Sequence, residues 1–158
     1  MHCPGCAGEF PEVDGPTHPY MTSSPGCWAA FGDVLAQDYS DPARMAFHQV
    51  VVDSYAAQHP GDGSRKAVQS VGLHLMTLCL FLEHDVEPAE GPRLHQRMID
   101  KPDFHALDRT GPGRLTVAHM SAEDPRTAAL DWARSVWDSY GPSHDIVREW
   151  LRQAGFAS

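Results

Sequence analysis

The sequence predicts an all-α fold: a compact bundle of about five helices over residues 25–158, preceded by an irregular, zinc-knuckle-like N-terminal arm over residues 1–24. Three observations carry that prediction. Apolar residues recur at helical spacing in several stretches. Ser or Asp followed by Pro marks helix starts, and Pro–Gly or Gly–Pro pairs mark ends. At 158 residues with 42% apolar content, the chain is long enough for one domain with a real core and too short for two.

Ser24-Pro25 opens the first helix, which carries Trp28, Phe31 and Leu35 to about Tyr39. Asp41-Pro42 repeats the signal and opens a helix containing His48, which Pro60-Gly61 ends. Ser64 caps the next helix, predicted to run to about His84. Its apolar stretch from Val71 to Leu82 is twelve residues, against about 20 for a membrane span, so it reads as a buried core helix. From Asp85 to Thr116 the chain is rich in Pro, Gly and charge. Only Arg93–Asp100 fits a short helix there, and part of the region reads as a mobile segment or lid. Ser121 with Asp124 resembles a capping signal for a helix with Ala129, Trp132, Ala133, Val136, Trp137 and Tyr140. Gly141-Pro142 breaks it, and Ser143 caps a last helix that Gly155 ends.

The net charge of −9 and the lack of a basic stripe argue against nucleic-acid binding. The opening MHCPGCAGEF lacks the charged and apolar regions of an export signal, so a cytoplasmic location is expected and no membrane association. Four cysteines in that setting point to metal or thiol chemistry rather than structural disulfides.

Cys3-Pro4-Gly5-Cys6 places two thiolates on one tight turn. Zinc takes four such ligands in a tetrahedron, and the expected set is Cys3, Cys6, His18 and Cys27, which ties the arm to the bundle. A free thiol pair or a disulfide is the plainer alternative. A thioredoxin-type site is disfavoured because no strand precedes the motif, and haem attachment because Ala7, not His, follows it. Cys79 reads as a small buried apolar residue.

Between Phe47 and Glu83 the helical stripes carry histidines where a plain bundle carries leucine. His48, Val52, Tyr55 and His59 share one face; Ala67, Val71, His74, Leu78 and Leu82 share another. His48 and His59 lie about 16 Å apart along the helix, too far to share one metal. The expectation is a polar pocket inside the bundle formed by His48, Tyr55, His59 and His74, able to move protons near neutral pH. The plainer reading gives each histidine one hydrogen bond at the core edge. Asp53 falls off this face and is expected to orient a different group or meet water, and His84, His95, His105 and His119 are expected at the surface. Ser64, Arg65 and Lys66, at a helix start, form a candidate anion cradle, although Asp62 opposes it and an ordinary capped turn is the plainer reading.

The segments CPGC, DGPTHPY, SPGCW, VDSYAAQHPG, SR, QSVGLHL and WARSVW resemble those of a small uncharacterised bacterial protein family. The resemblance covers most of the chain and implies no particular activity. It places Cys3, Cys6, His18, Cys27, His48, Tyr55, His59 and His74 in or beside the recurring segments.

Three functions fit these residues. The first is a small zinc-dependent enzyme acting on an anionic small molecule, with His48, Tyr55, His59 and His74 as the catalytic pocket. The second is a cysteine-based thiol or sulfur-transfer enzyme, a transferase acting on a phosphorylated small molecule held at Ser64–Lys66. The third is a non-catalytic zinc-binding module that docks a partner protein.

Overall fold

The computed structural model describes residues 1–156, and among them every regular element is helical apart from one isolated antiparallel bridge, His2–Glu9. Seven α-helices follow in order: α1 Pro25–Tyr39, α2 Pro42–Met45, α3 His48–Gln58, α4 Arg65–Glu83, α5 Gly91–Met98, α6 Pro125–Ser139 and α7 His144–Gln153. Short 3-10 turns precede α5, α6 and α7.

Most helix starts fall where a side chain can satisfy a free first-turn amide. The Ser24 hydroxyl accepts from Cys27 N, and Ser64 from Ala67 N. Asp124, not Ser121, caps α6 and accepts from Thr127 N. Ser121 instead closes the preceding 3-10 turn and donates to the Ala118 carbonyl. Ser143 occupies the cap position of α7, but its hydroxyl donates to the Asp108 carbonyl and so anchors a loop.

The single helix expected after Asp41 divides. Phe47 leaves helical backbone (φ −118°, ψ 17°) between α2 and α3 and buries its ring. The turn lets Arg44 and His48 both reach the buried carboxylate of Asp38. This division, together with α5, raises the helix number from about five to seven.

Helix α3 packs on α4 and α6, and α7 covers α4. Val50, Val51, Leu75, Leu78, Trp132, Val136, Val147 and Trp150 meet there, each fully buried apolar side chain contributing about 1.5–3 kcal/mol. Because α3 is buried on most of its circumference, its polar residues Asp53, Ser54 and Gln58 find partners inside the protein. That constraint places every site described below.

The segment expected as a lid is pinned instead. Arg109 donates to the carbonyls of Gln58 and Gly5, and Gln58 Nε2 donates to those of Pro112 and Leu115. Thr110 N donates to Ser139 O at 2.7 Å. Between Pro112 and Leu115 the chain is therefore a strap across α3 and α6.

Candidate metal centre

The N-terminal arm folds back on itself through Cys3. Cys3 N donates to Gly8 O, Ala7 N donates to Cys3 O, and Ala7 takes a left-handed φ of 62° to close the turn. Gly8 N points at Cys6 Sγ at 3.4 Å, the amide-to-sulfur contact that a thiolate accepts. The arm then lies across the end of α3. A Cβ on Gly5 would overlap the Thr22 carbonyl oxygen and the His59 ring, so only glycine lets the turn approach His59 this closely.

That approach brings four residues together. One ligand atom each from Cys3, Cys6, Cys27 and His59 lies within 4.8 Å of the others, a group that could hold a metal ion. Cys27 reaches it from the first turn of α1, where its backbone N–H donates to Ser24 Oγ. His59 enters from the residue that ends α3. Cys6 Sγ and Cys27 Sγ are 3.9 Å apart, and Cys27 Sγ and His59 Nε2 are 3.4 Å apart. A tetrahedron with zinc–sulfur bonds of about 2.3 Å and a zinc–nitrogen bond of about 2.05 Å spaces these atoms about 3.8 and 3.6 Å apart. His59 Nδ1 donates to the Tyr55 carbonyl at 2.7 Å, which leaves the lone pair of the neutral ring on Nε2, facing the sulfurs.

The three thiols share charge unequally. Hydrogen bonds from Cys27 and Cys6 hold Cys3 well below the ordinary thiol range. Hydrogen bonding to Cys3 and Cys6, and then burial, push Cys27 far above it. A divalent ion would offset the repulsion among thiolates held this close together. Tyr55, stacked between Phe31 and His59, sets its hydroxyl 3.3 Å from Cys27 Sγ, and burial followed by that contact raises its pKa.

His18 is not part of this group. Tyr20 N donates to its Nδ1, and its ring packs on Tyr20 and Trp28. Burial, and secondarily His74, lower its pKa. The arm runs past His59 before His18 can reach the sulfurs, and His59 takes the fourth position.

The histidine stripes lead to separate places rather than one pocket. His48, at the start of α3, sets Nδ1 2.8 Å from Asp38 Oδ2, while His59 lies beyond the other end of α3. His74 sets Nδ1 2.6 Å from Asp53 Oδ1. Asp53 does not face water: it is fully buried and also accepts from Gln49 Nε2 and Thr77 Oγ1. His95, expected at the surface, is drawn into the same cluster, 3.1 Å from Thr77 Oγ1 and 3.6 Å from Asp53 Oδ1. Burial lowers its pKa, and Asp53 only partly offsets this. The pairs 38/48, 53/74 and 74/95 carry no local sequence signal, because each joins different helices.

At the proposed cradle, Ser64 N donates to Asp62 Oδ1 and Ala67 N to Ser64 Oγ. Arg65 borders a groove that also contains Asp100 and Asp103. Lys66 is exposed.

Alanine at Gly5 will separate the arm from His59. The expected loss is about 1–3 kcal/mol, the range for overpacking, and about 2–12 °C in Tm. Thermal melts with limited proteolysis in the exposed stretch 11–17 check this; an unchanged melt with an intact arm contradicts it.

Fold and site together define an all-helical protein with a buried three-cysteine, one-histidine cluster spaced for a single metal ion. The chain belongs to the family described as "Family of unknown function (DUF5946)", whose model matches residues 1–141. No curated protein and no solved structure matches it.

Proposed function

We propose that Cys3, Cys6, Cys27 and His59 bind one zinc ion whose role is structural, stapling the N-terminal arm to the start of α1 and the end of α3. The observation that carries this reading is the enclosure of a complete ligand set. The four residues are between 0% and 3% exposed, their donor atoms lie within 4.8 Å of one another, and the Cys6–Cys27 and Cys27–His59 separations of 3.9 and 3.4 Å are close to those of a tetrahedral site. Structural zinc sites are closed by four protein ligands, whereas catalytic ones keep a position for water or substrate. Borderline-soft sulfur with imidazole selects zinc over the hard divalent cations.

The enclosure weighs against the two enzymatic readings of the arm. Zinc-dependent attack on an anionic small molecule needs an open coordination position. Sulfur transfer to a phosphorylated substrate needs a thiolate within reach of solvent. The buried sulfurs favour neither, and the non-catalytic zinc-binding reading accounts for the site with the fewest additions.

Elemental analysis and thiol titration test the proposal. The purified protein is expected to contain about one zinc per chain, with all four cysteines unreactive. After chelation, Cys3, Cys6 and Cys27 should react, while Cys79, buried in α4, should still resist until the chain unfolds. Protein that contains no zinc and takes up none after reduction would overturn it.

A further inference from the structure

We propose that Asp53, His74 and His95 form a second metal site, separate from the cysteine cluster, for a divalent first-row transition metal bound through nitrogen and oxygen. The three side chains come from α3, α4 and α5, and one ligand atom of each lies within 4.8 Å of the others. Their known separations, 2.6 Å for His74 Nδ1 to Asp53 Oδ1 and 3.6 Å for His95 Nε2 to the same oxygen, bracket the spacing a bound ion needs. With bonds of about 2.1 Å, ligand atoms stand about 3.0–3.4 Å apart in octahedral or tetrahedral geometry.

Charge supplies the second reason. Asp53 is fully buried, and among the described residues no Lys or Arg pairs with it; its neighbours are an amide, a hydroxyl and two imidazoles. A buried carboxylate requires pairing or a metal. Burial keeps His95 toward its neutral, metal-binding form. A cation held between the two imidazoles and Asp53 neutralises the buried carboxylate.

The surroundings fix this geometry. Thr77 Oγ1 donates to Asp53 Oδ2 at 2.7 Å and lies 3.1 Å from His95 Nε2, and Gln49 holds Asp53 Oδ1 at 2.8 Å. The first residue of α5, Gly91, rests on Gln49 so closely that any Cβ would overlap it. His95 lies four residues on, on the same face, and is thereby held over Asp53. The His74 and His95 side chains are 15% and 19% exposed, so the site opens on one side to solvent and leaves positions for water or an anionic oxygen ligand. Two imidazoles and one carboxylate with open positions suit iron, manganese, cobalt or zinc rather than magnesium or calcium.

The test uses the full chain with the cysteine site loaded with zinc, titrated with Co²⁺ and followed by calorimetry and absorption. We expect one Co²⁺ per chain beyond the zinc, with the weak spectrum of nitrogen and oxygen ligation and no thiolate charge-transfer band. His95→Gln and His74→Gln should each weaken uptake at least about 100-fold, and Thr77→Val, which removes a supporting contact, about 10–100-fold. All three should keep the zinc content and the circular dichroism of the parent. Gly91→Ala, which displaces α5 without touching a ligand, should also weaken uptake. No cobalt uptake, uptake with a thiolate band, or an affinity in both histidine variants unchanged from the parent would overturn the site. Zinc content and thiol reactivity report on the cysteine cluster separately, so failure of either site is distinguishable from failure of the other.

Discussion

Cys27→Ser is expected to release the proposed zinc and lower Tm by about 8–20 °C. Cys27 Sγ is the atom through which the cluster is joined: it lies 3.9 Å from Cys6 Sγ, 3.4 Å from His59 Nε2 and 3.3 Å from the Tyr55 hydroxyl. Structural zinc binding in small domains is worth about 10–16 kcal/mol at neutral pH, and there it is the folding energy. Here α3, α4, α6 and α7 have a core of their own, so only the part that orders the arm is lost. A loss of about 4–5 kcal/mol translates to about 2–4 °C per kcal/mol in a chain of this size. Chelation of the parent should reach the same end state, and the stretch 11–17 should then become a protease target. Cys79→Ala is the control: its thiol is equally buried, but its polar contact is Glu83, and it lies outside the cluster. That variant should keep one zinc per chain. A Cys27→Ser protein that retains zinc, or that melts within about 2 °C of the parent, would show that the cluster staples nothing.

The same residues show what could be read before the structure and what could not. That Cys3, Cys6 and Cys27 cluster is legible because CPGC puts two cysteines on one turn and SPGCW places a third at a helix start. The fourth ligand is a packing outcome. His18 is nearer in sequence, but His59 is nearer in space, because Gly5 lets the arm rest on its ring. The periodic histidines of α3 and α4 were visible, yet periodicity reports a shared face and not what lies opposite. Their partners, Asp38 and Asp53, come from other helices or other faces. His95 gave no signal, since a histidine in a short polar helix looks like any surface residue until α5 packs on α4. The caps at Ser24, Asp41 and Ser64 were legible because each is a local hydrogen bond. The break at Phe47 was not, because it is set by Asp38 drawing in both Arg44 and His48.

Gln58→Leu should destabilise the protein by about 3–5 kcal/mol, although Gln58 is neither charged nor part of either candidate metal cluster. Its side chain is fully buried and uses both ends. Oε1 accepts from Trp132 Nε1 at 2.9 Å, and Nε2 donates to the carbonyls of Pro112 and Leu115 at 2.8 and 2.6 Å. Leucine matches the volume approximately but leaves an indole N–H and two carbonyls without this partner. Each orphaned buried group costs about 1–3 kcal/mol, and local loosening of the strap recovers part of the total by admitting water. The expected readouts are a Tm about 6–20 °C lower, changed near-ultraviolet dichroism from Trp132, and faster amide exchange confined mainly to residues 108–116. Zinc content should stay at one per chain, because His59 keeps its own bond to the Tyr55 carbonyl and Arg109 still donates to the Gln58 main-chain carbonyl. Exchange in 108–116 as slow as in the parent, with a melt shifted by less than about 2 °C, would mean that the strap is held by Arg109 and Thr110 alone.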